Sequence, residues 1–432
     1  VSLRYKEALP RSCPFWDQEL TQAKAARNDA RPQYGPLYEE LKVNYTRLYH
    51  RKKRHWQAET MQAISNPEDG WDALHHFAPR TRKKKREYKV HRITAREEAQ
   101  KIARAFQSIT NDPGLAFHQQ NAELTRELEA LCHQQQQALP RLTRRELLSA
   151  VKKAKRKSSP GTDKVSNKYI KRMVQDADVL PHLHRVLEQS LLTGHLTTKA
   201  KTAKVVPLPK GNGEYRPISL LPCLTKVLDT IVERRLRPTV HPQLHRAQTG
   251  CRPGHGTSHA LLRLLHVAAT AQANGQFFAC ISYDFKKAYD RVPRHKLVRK
   301  LQAMGTPPYL LRFVNNWLTD RRIQVEHRGA FSKPLRTNNG IPQGSCLSVL
   351  LWLVFINDIP ILPQDGAIYV DDSLTWVVAN SYNSMVDQLH DRASAIAGWC
   401  HSNHVQVNVD KTHILANSYN PHLRVSFEPP RS

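Results

Sequence analysis

The spacing of apolar positions changes along the chain, and with it the elements expected. From Pro36 to Ser65 the residues Leu37, Leu41, Tyr45, Leu48, Trp56, Met61 and Ile64 recur mostly at three, four or eight positions, one stripe of a long helix. Further helices are predicted over Thr94 to Phe106, Leu115 to Leu139, Leu147 to Lys157 and Leu221 to Leu236. Ala203 to Lys210 and Glu214 to Leu220 read instead as two extended segments around a tight turn. Phe277 to Tyr283 is seven residues of apolar or small character, a buried strand that delivers Asp284 at its C-terminal end. Two strand-like runs flank Asp371 and Asp372, predicting a hairpin with acid at its tip, and Leu347 to Ile356 reads as a buried helix. No repeat of solenoid period is present.

Composition narrows the class. The 432 residues suffice for two or three domains with proper cores, and 40% are hydrophobic. Lys and Arg number 66 against 37 Asp and Glu, a formal charge of +29. An excess of this size implies a polyanionic partner, because each phosphate contact releases counterions. A membrane surface is the weaker alternative, since the longest uncharged apolar run, Val349 to Ile356, is too short to span a bilayer. Seven scattered cysteines suggest neither a disulfide framework nor a zinc knuckle and fit a reducing compartment. The chain begins at Val1 without an apolar signal segment, as expected of a fragment or a processed product. Two basic runs, Arg51, Lys52, Lys53 and Arg54 within the long helix and Arg82, Lys83, Lys84 and Lys85 in a loop after Pro79, read locally as a solvated face, a localisation signal or a nucleic-acid contact. The global charge favours contact.

The acidic positions point to chemistry. Phosphoryl transfer to a nucleoside triphosphate uses two cations about 4 Å apart, held by a few carboxylates with water and substrate completing the shell. Asp284 and Asp371 could do this if their strands are neighbours, although an Asp-Asp pair taken alone is ordinary turn chemistry. Three ordered stretches distinguish the two readings: Asp284-Phe-Lys-Lys-Ala-Tyr-Asp290, Gly340-Ile-Pro-Gln-Gly-Ser-Cys-Leu-Ser348 and Tyr369-Val-Asp-Asp372. Together they resemble three consecutive palm motifs of reverse transcriptases, with the closest likeness to LINE-type non-LTR retrotransposons. Ser158-Ser-Pro-Gly-Thr-Asp163, Tyr215-Arg-Pro-Ile-Ser-Leu-Leu221 and Gln248-Thr-Gly-Cys-Arg-Pro-Gly254 resemble fingers motifs of the same family, with Thr249 and Cys251 in place of aromatics. Val349 stands where that family generally has proline.

The resemblance implies an α+β right-hand polymerase: a basic helical extension over residues 1–145, fingers over 146–275, a palm with an antiparallel sheet backed by helices over 276–420, and a tail over 421–432 with no thumb. It implies an RNA-directed DNA polymerase using two Mg²⁺ or Mn²⁺ ions, an RNA template, a DNA primer and deoxynucleoside triphosphates, in the nucleus and without a membrane. Asp284, Asp371 and Asp372 are the expected catalytic residues, with Asp284, the Phe285 carbonyl and Asp371 on the metal. Lys210 offers a point charge and Arg216 a planar donor fork for triphosphate oxygens. Tyr289 stands where the family blocks a ribose 2′-hydroxyl. Gln343 can hydrogen-bond a base pair, and Gly344 leaves the approach open. Lys411 is placed as general acid toward pyrophosphate, and locally reads as a surface lysine. Arg252 reads as a template-backbone contact or a helix cap. The missing thumb leaves three alternatives: distributive synthesis, a thumb supplied by another chain, or a non-catalytic RNA-binding component of a larger ribonucleoprotein.

Overall fold

The computed structural model describes residues 15–31, 35–62, 89–111, 117–134, 139–211 and 214–417. The basic run at Arg82, Lys83, Lys84 and Lys85 lies outside them, as does the tail after residue 417.

Helices α1 (Gln18–Asp29) and α2 (Pro36–Gln62) form an antiparallel hairpin. Asp17 caps α1 by accepting the Leu20 N–H at 3.0 Å. Of the stripe predicted on α2, Leu41, Tyr45, Leu48 and Trp56 are half-buried and Leu37 stays 57% exposed, while Ile64 lies outside the described residues. The reason is the partner: in α1 Leu20 alone is buried, so rings close the hairpin instead. Phe15 meets Tyr49 edge-on at 5.3 Å and Trp56 at 5.8 Å, and the Arg27 guanidinium lies 4.5 Å over Tyr45.

Next come α3 (Lys89–Thr110), α4 (His118–Gln134) and α5 (Arg144–Lys153). α3 buries Ala95, Ala99, Ala103 and Phe106, spaced by four and three, on one face. α5 stops four residues before the predicted end at Lys157, with Ala154 already extended. Continuing it would stack Lys152 on Arg156 and Lys153 on Lys157 at i,i+4, a repulsive arrangement. Its start is defined by a capping box in which Thr143 and Glu146 exchange bonds. The Arg235 guanidinium also grips Glu146, at 2.8 and 3.0 Å, and holds its carboxyl down at about 2. This depressed carboxyl stabilises the fold fully above about pH 4.5, and the contribution is lost as pH falls toward 2. Glu146→Gln should therefore lower unfolding free energy by about 1–3 kcal/mol at pH 7, with the deficit shrinking in acid, as urea titrations at several pH values would read.

The chain continues through α6 (Asn167–Met173), α7 (Val179–Thr193) and α8 (Thr198–Lys201) into β1 (Thr202–Gly211) and β2 (Glu214–Leu220). Then follow α9 (Cys223–Val240), α10 (Thr257–Ala273), β3 (Phe277–Tyr283), α11 (Ala288–Arg291), α12 (Arg294–Ala303) and α13 (Pro308–Leu318). The last stretch holds β4 (Arg321–His327), β5 (Ala330–Phe331), β6 (Leu335–Thr337), α14 (Cys346–Phe355), β7 (Gly366–Tyr369), β8 (Asp372–Ala379), α15 (Tyr382–Asn403) and β9 (His413–Ala416).

Two sheets organise these elements, a mixed α+β architecture. One has the order β2-β1-β4-β5, with β6 also on β4; β1 and β2 form the predicted hairpin, and β1 runs parallel to β4. α3 covers this sheet, its Ala99, Ala103 and Phe106 meeting Val205 and Val325. The second sheet is antiparallel throughout, in the order β7-β8-β3-β9. Behind it lies the main core, where Trp352 and Phe355 of α14 meet Ile281 of β3 and Ile396 of α15 among the buried side chains. No described helix is long and apolar enough to cross a membrane.

Candidate active site

The second sheet determines which acids meet. β3 and β8 pair from Phe277–Ala379 to Tyr283–Ser373, so one further step sets Asp284 opposite Asp372. β7 and β8 close on the pair Tyr369–Asp372, leaving Val370 and Asp371 as a two-residue turn. Val370 has φ +62° and Asp371 does not share the positive sign, the pattern of a type II′ hairpin, in which glycine is favoured at the first position. A β-branched residue there is strained. The turn is held regardless: the Val370 N–H donates to Gln248 Oε1 at 3.2 Å, and Trp352 Nε1–H donates to the Val370 carbonyl at 2.7 Å. Val370→Gly should relieve the strain but lose the side chain's packing on the main core and add unfolded-state entropy, so stability should change by less than about 1 kcal/mol, read as the denaturation midpoint.

The predicted pair of adjacent acids is thus split between two kinds of backbone, with Asp371 in the turn and Asp372 opening β8. Both are exposed at the tip, while Asp284 is half-buried. Burial, then the Asp371 and Asp284 carboxylates, push the Asp372 carboxyl up, which shows three anions gathered at one end of the sheet. Asp284 is fixed by a residue the sequence reading passed over: Asn408 Nδ2 donates to its Oδ2, and the Asn408 N–H to its carbonyl, each at 2.7 Å. Asn408 lies 124 positions further along the chain, and only the bridge between Phe285 and Val407 reveals its neighbour. The Phe285 side chain is buried, its ring 6.3 Å from Trp399.

Around the acids, Tyr289 stacks on Trp352 at 5.2 Å with planes 19° apart, and its carbonyl accepts the Ile341 N–H at 2.8 Å. Burial, then the charge of Asp371, raises its phenol. The Gly340 N–H donates to Val292, and a Cβ on Gly340, at φ +80°, would meet the Asp290 carbonyl oxygen at 2.6 Å. Gln343 Nε2 donates to Asp290 Oδ2 at 3.1 Å. Burial lifts the Asp290 carboxyl to about 7, against the pull of Lys287 and Lys210. Lys210, exposed at the end of β1, is therefore close enough to act on the same corner, and exposed Arg216 sits opposite Leu208 on β2. Gly344, at φ +131°, leaves its Cβ position 2.4 Å from the Ser219 carbonyl oxygen, so the loop lies directly on β2. Lys411 is exposed in the short 3₁₀ turn Val409–Lys411 that follows Asn408.

The remaining predicted residues do other things. Arg51 pairs with Glu19 at 3.4 Å and Lys52 with both Asp17 and Glu19, bracing α2 on α1, whereas Arg54 and Lys53 face outward or lie at the edge. The Arg252 guanidinium donates to the carbonyls of His245 and Gln248, fixing its own loop. That loop in turn grips the acidic hairpin, since the Thr249 N–H donates to the Ile368 carbonyl at 2.7 Å.

Among the described residues no three His, Cys, Asp or Glu side chains form a ready cage for a metal ion. The donor set still suits a hard cation with few protein ligands: oxygen only, partly exposed and mutually repulsive. Substrate phosphates and water would have to complete its shell.

Comparison with known proteins agrees with this arrangement. The family model "Reverse transcriptase (RNA-dependent DNA polymerase)" matches residues 208–423. The probable RNA-directed DNA polymerase from transposon BS of Drosophila melanogaster is 30% identical over 284 residues, covering 62% of this chain and 31% of that protein. The RNA-directed DNA polymerase from mobile element jockey of the same fly is 28% identical over 310 residues, covering 66% and 34%. The chain thus spans about a third of the length of these relatives. Among solved structures, apo telomerase from Candida tropicalis overlaps at a TM-score of 0.41 with 13% identity, over 52% of this chain and 46% of that one, too loosely to carry an argument. With its matched segment running from β1 through the acidic hairpin and beyond, the chain belongs to the reverse transcriptase family.

Proposed function

We propose that this chain carries the nucleotidyl-transfer centre of a non-LTR retrotransposon reverse transcriptase, extending a DNA primer on an RNA template. The observation that carries the reading is the β3–β8 register, which sets Asp284 across from Asp372 beside the Asp371 turn. Two Mg²⁺ or Mn²⁺ ions, when bound, supply activation of the primer 3′-hydroxyl and charge neutralisation on the triphosphate. Asp284 and Asp371 are the residues that would hold them, with Asp372 adding negative potential and the Phe285 carbonyl a further oxygen. Lys210 and Arg216 draw the triphosphate of a deoxynucleotide toward the hairpin. Tyr289, stacked on Trp352 beside the acidic turn, selects against a ribose 2′-hydroxyl, and Gln343 with Gly344 meets the nascent base pair. Lys411 donates a proton to the leaving pyrophosphate. Basic residues of the N-terminal helices, among them Lys53 and Arg54, hold RNA phosphates in a nuclear ribonucleoprotein.

Primer extension by the purified chain tests this reading directly. On an RNA template with deoxynucleotides it should show extension that requires Mg²⁺ or Mn²⁺. Tight RNA binding with no extension under either metal would favour the non-catalytic RNA binder.

A further inference from the structure

The loop Pro342-Gln-Gly344 is gripped from a direction that the motifs do not indicate. Ser345, the next residue, caps α14 by accepting the Leu347 N–H on its Oγ at 3.1 Å. The same hydroxyl donates to Asp229 Oδ2 at 2.5 Å. Asp229 lies in the middle of α9 with no exposed surface, and Thr230 beside it contacts the Cys346 thiol at 3.6 Å. Its other oxygen, Oδ1, has no partner within hydrogen-bond distance among the described residues, and burial pushes the carboxyl up to about 6, against the pull of the Ser345 hydroxyl and the buried Arg321 guanidinium. No salt bridge closes on it among the described residues. A carboxylate so buried is costly to desolvate, and the other buried positions of α9 are mostly Leu, Val and Ile, with Cys223, Thr225 and the Arg237-paired Glu233 as the exceptions. An apolar residue would serve packing better. What the acid supplies is one short, charge-assisted bond to the hydroxyl adjoining Gly344.

We propose that Asp229 is a positioning residue: through Ser345 it sets where the Gln343–Gly344 loop turns into α14, and so how that loop meets the nucleotide. The loop is then fixed at three points. Asp290 takes the Gln343 amide, the Ser219 N–H donates to the Gln343 carbonyl at 2.8 Å, and Asp229 takes the Ser345 hydroxyl. Removing the third lets α14 start in another rotamer of Ser345 and lets Gly344 lift from Ser219. The inference rests on the reading of Gln343 and Gly344 as nucleotide-facing.

Two measurements on the whole chain test it. In primer extension, Asp229→Ala and Ser345→Ala should each raise KM for deoxynucleotide about tenfold with kcat changed less than threefold. Asp229→Asn, which keeps an acceptor, should restore KM to within about threefold of wild type, and the double variant Asp229→Ala/Ser345→Ala should be no worse than the poorer single one. In amide hydrogen exchange without nucleotide, protection at Leu347 should fall at least tenfold in Asp229→Ala while β3 and β8 keep theirs. Multiplying effects in the double variant, an unchanged KM, or wild-type exchange at Leu347 would overturn the inference. If Asp229→Ala does not fold, Ser345→Ala and Asp229→Asn give the same comparison. If the wild-type chain extends no primer, the polymerase reading fails, and the exchange measurement alone decides whether Asp229 sets the loop.

Discussion

Asp371→Asn should reduce primer extension on the order of 10³-fold, the scale on which losing one preorganised electrostatic group acts, while RNA binding stays within a factor of two. The asymmetry follows from position. Asp371 is exposed at the tip of a two-residue turn, so the amide replaces it without a packing cost, and its loss removes one negative charge where cations would sit. Asp284→Asn should be as severe for activity, because Asn408 already occupies Asp284 Oδ2 and a single carboxylate oxygen remains for a cation. Asp372→Asn should cost less, as Asp372 opens β8 beside the two acids that would hold the cations. Extension and filter-binding measured side by side separate the roles.

The second large effect is structural. Trp352→Ala should lower unfolding free energy by about 3–5 kcal/mol, the range for emptying a buried aromatic site. Trp352 is fully buried in α14, 5.7 Å from Phe355 and stacked on Tyr289. It is also the donor to the strained Val370 carbonyl, so it joins the core to the acidic turn. Trp352→Phe separates these functions: it keeps most of the ring volume and loses the N–H, and should cost about 1 kcal/mol in stability. Extension should fall in that variant although the fold persists. Guanidinium titration with the extension assay checks both.

How far such features could be read in advance depends on whether they are local. The strand Phe277–Tyr283 is legible because seven small or apolar residues in a row end at an acid, and the pattern matches its observed limits. The β1–β2 hairpin is legible from Gly211-Asn-Gly213, and the α14 helix from its unbroken apolar run. α2 misled in one respect, since periodicity shows a stripe but not what covers it; its partner α1 is polar, and rings do the work of a core. Pairings between distant segments left no local trace. Nothing in Thr202–Gly211 announces a parallel neighbour at Arg321–His327, and Asn408, Gln248 and Asp229 gain their roles only from residues 116 or more positions away. Lys52 shows the converse, where a basic run suggests phosphate contact but one of its cations is used to hold two helices together.

The central claim is that strands far apart in sequence bring carboxylates together to hold cations. Mn²⁺ titration of the chain with bound template-primer, followed by electron paramagnetic resonance, tests this most directly. Saturable binding in the wild type that is lost in both Asp284→Asn and Asp371→Asn is the predicted result. Saturable Mn²⁺ binding that survives both substitutions unchanged would contradict it.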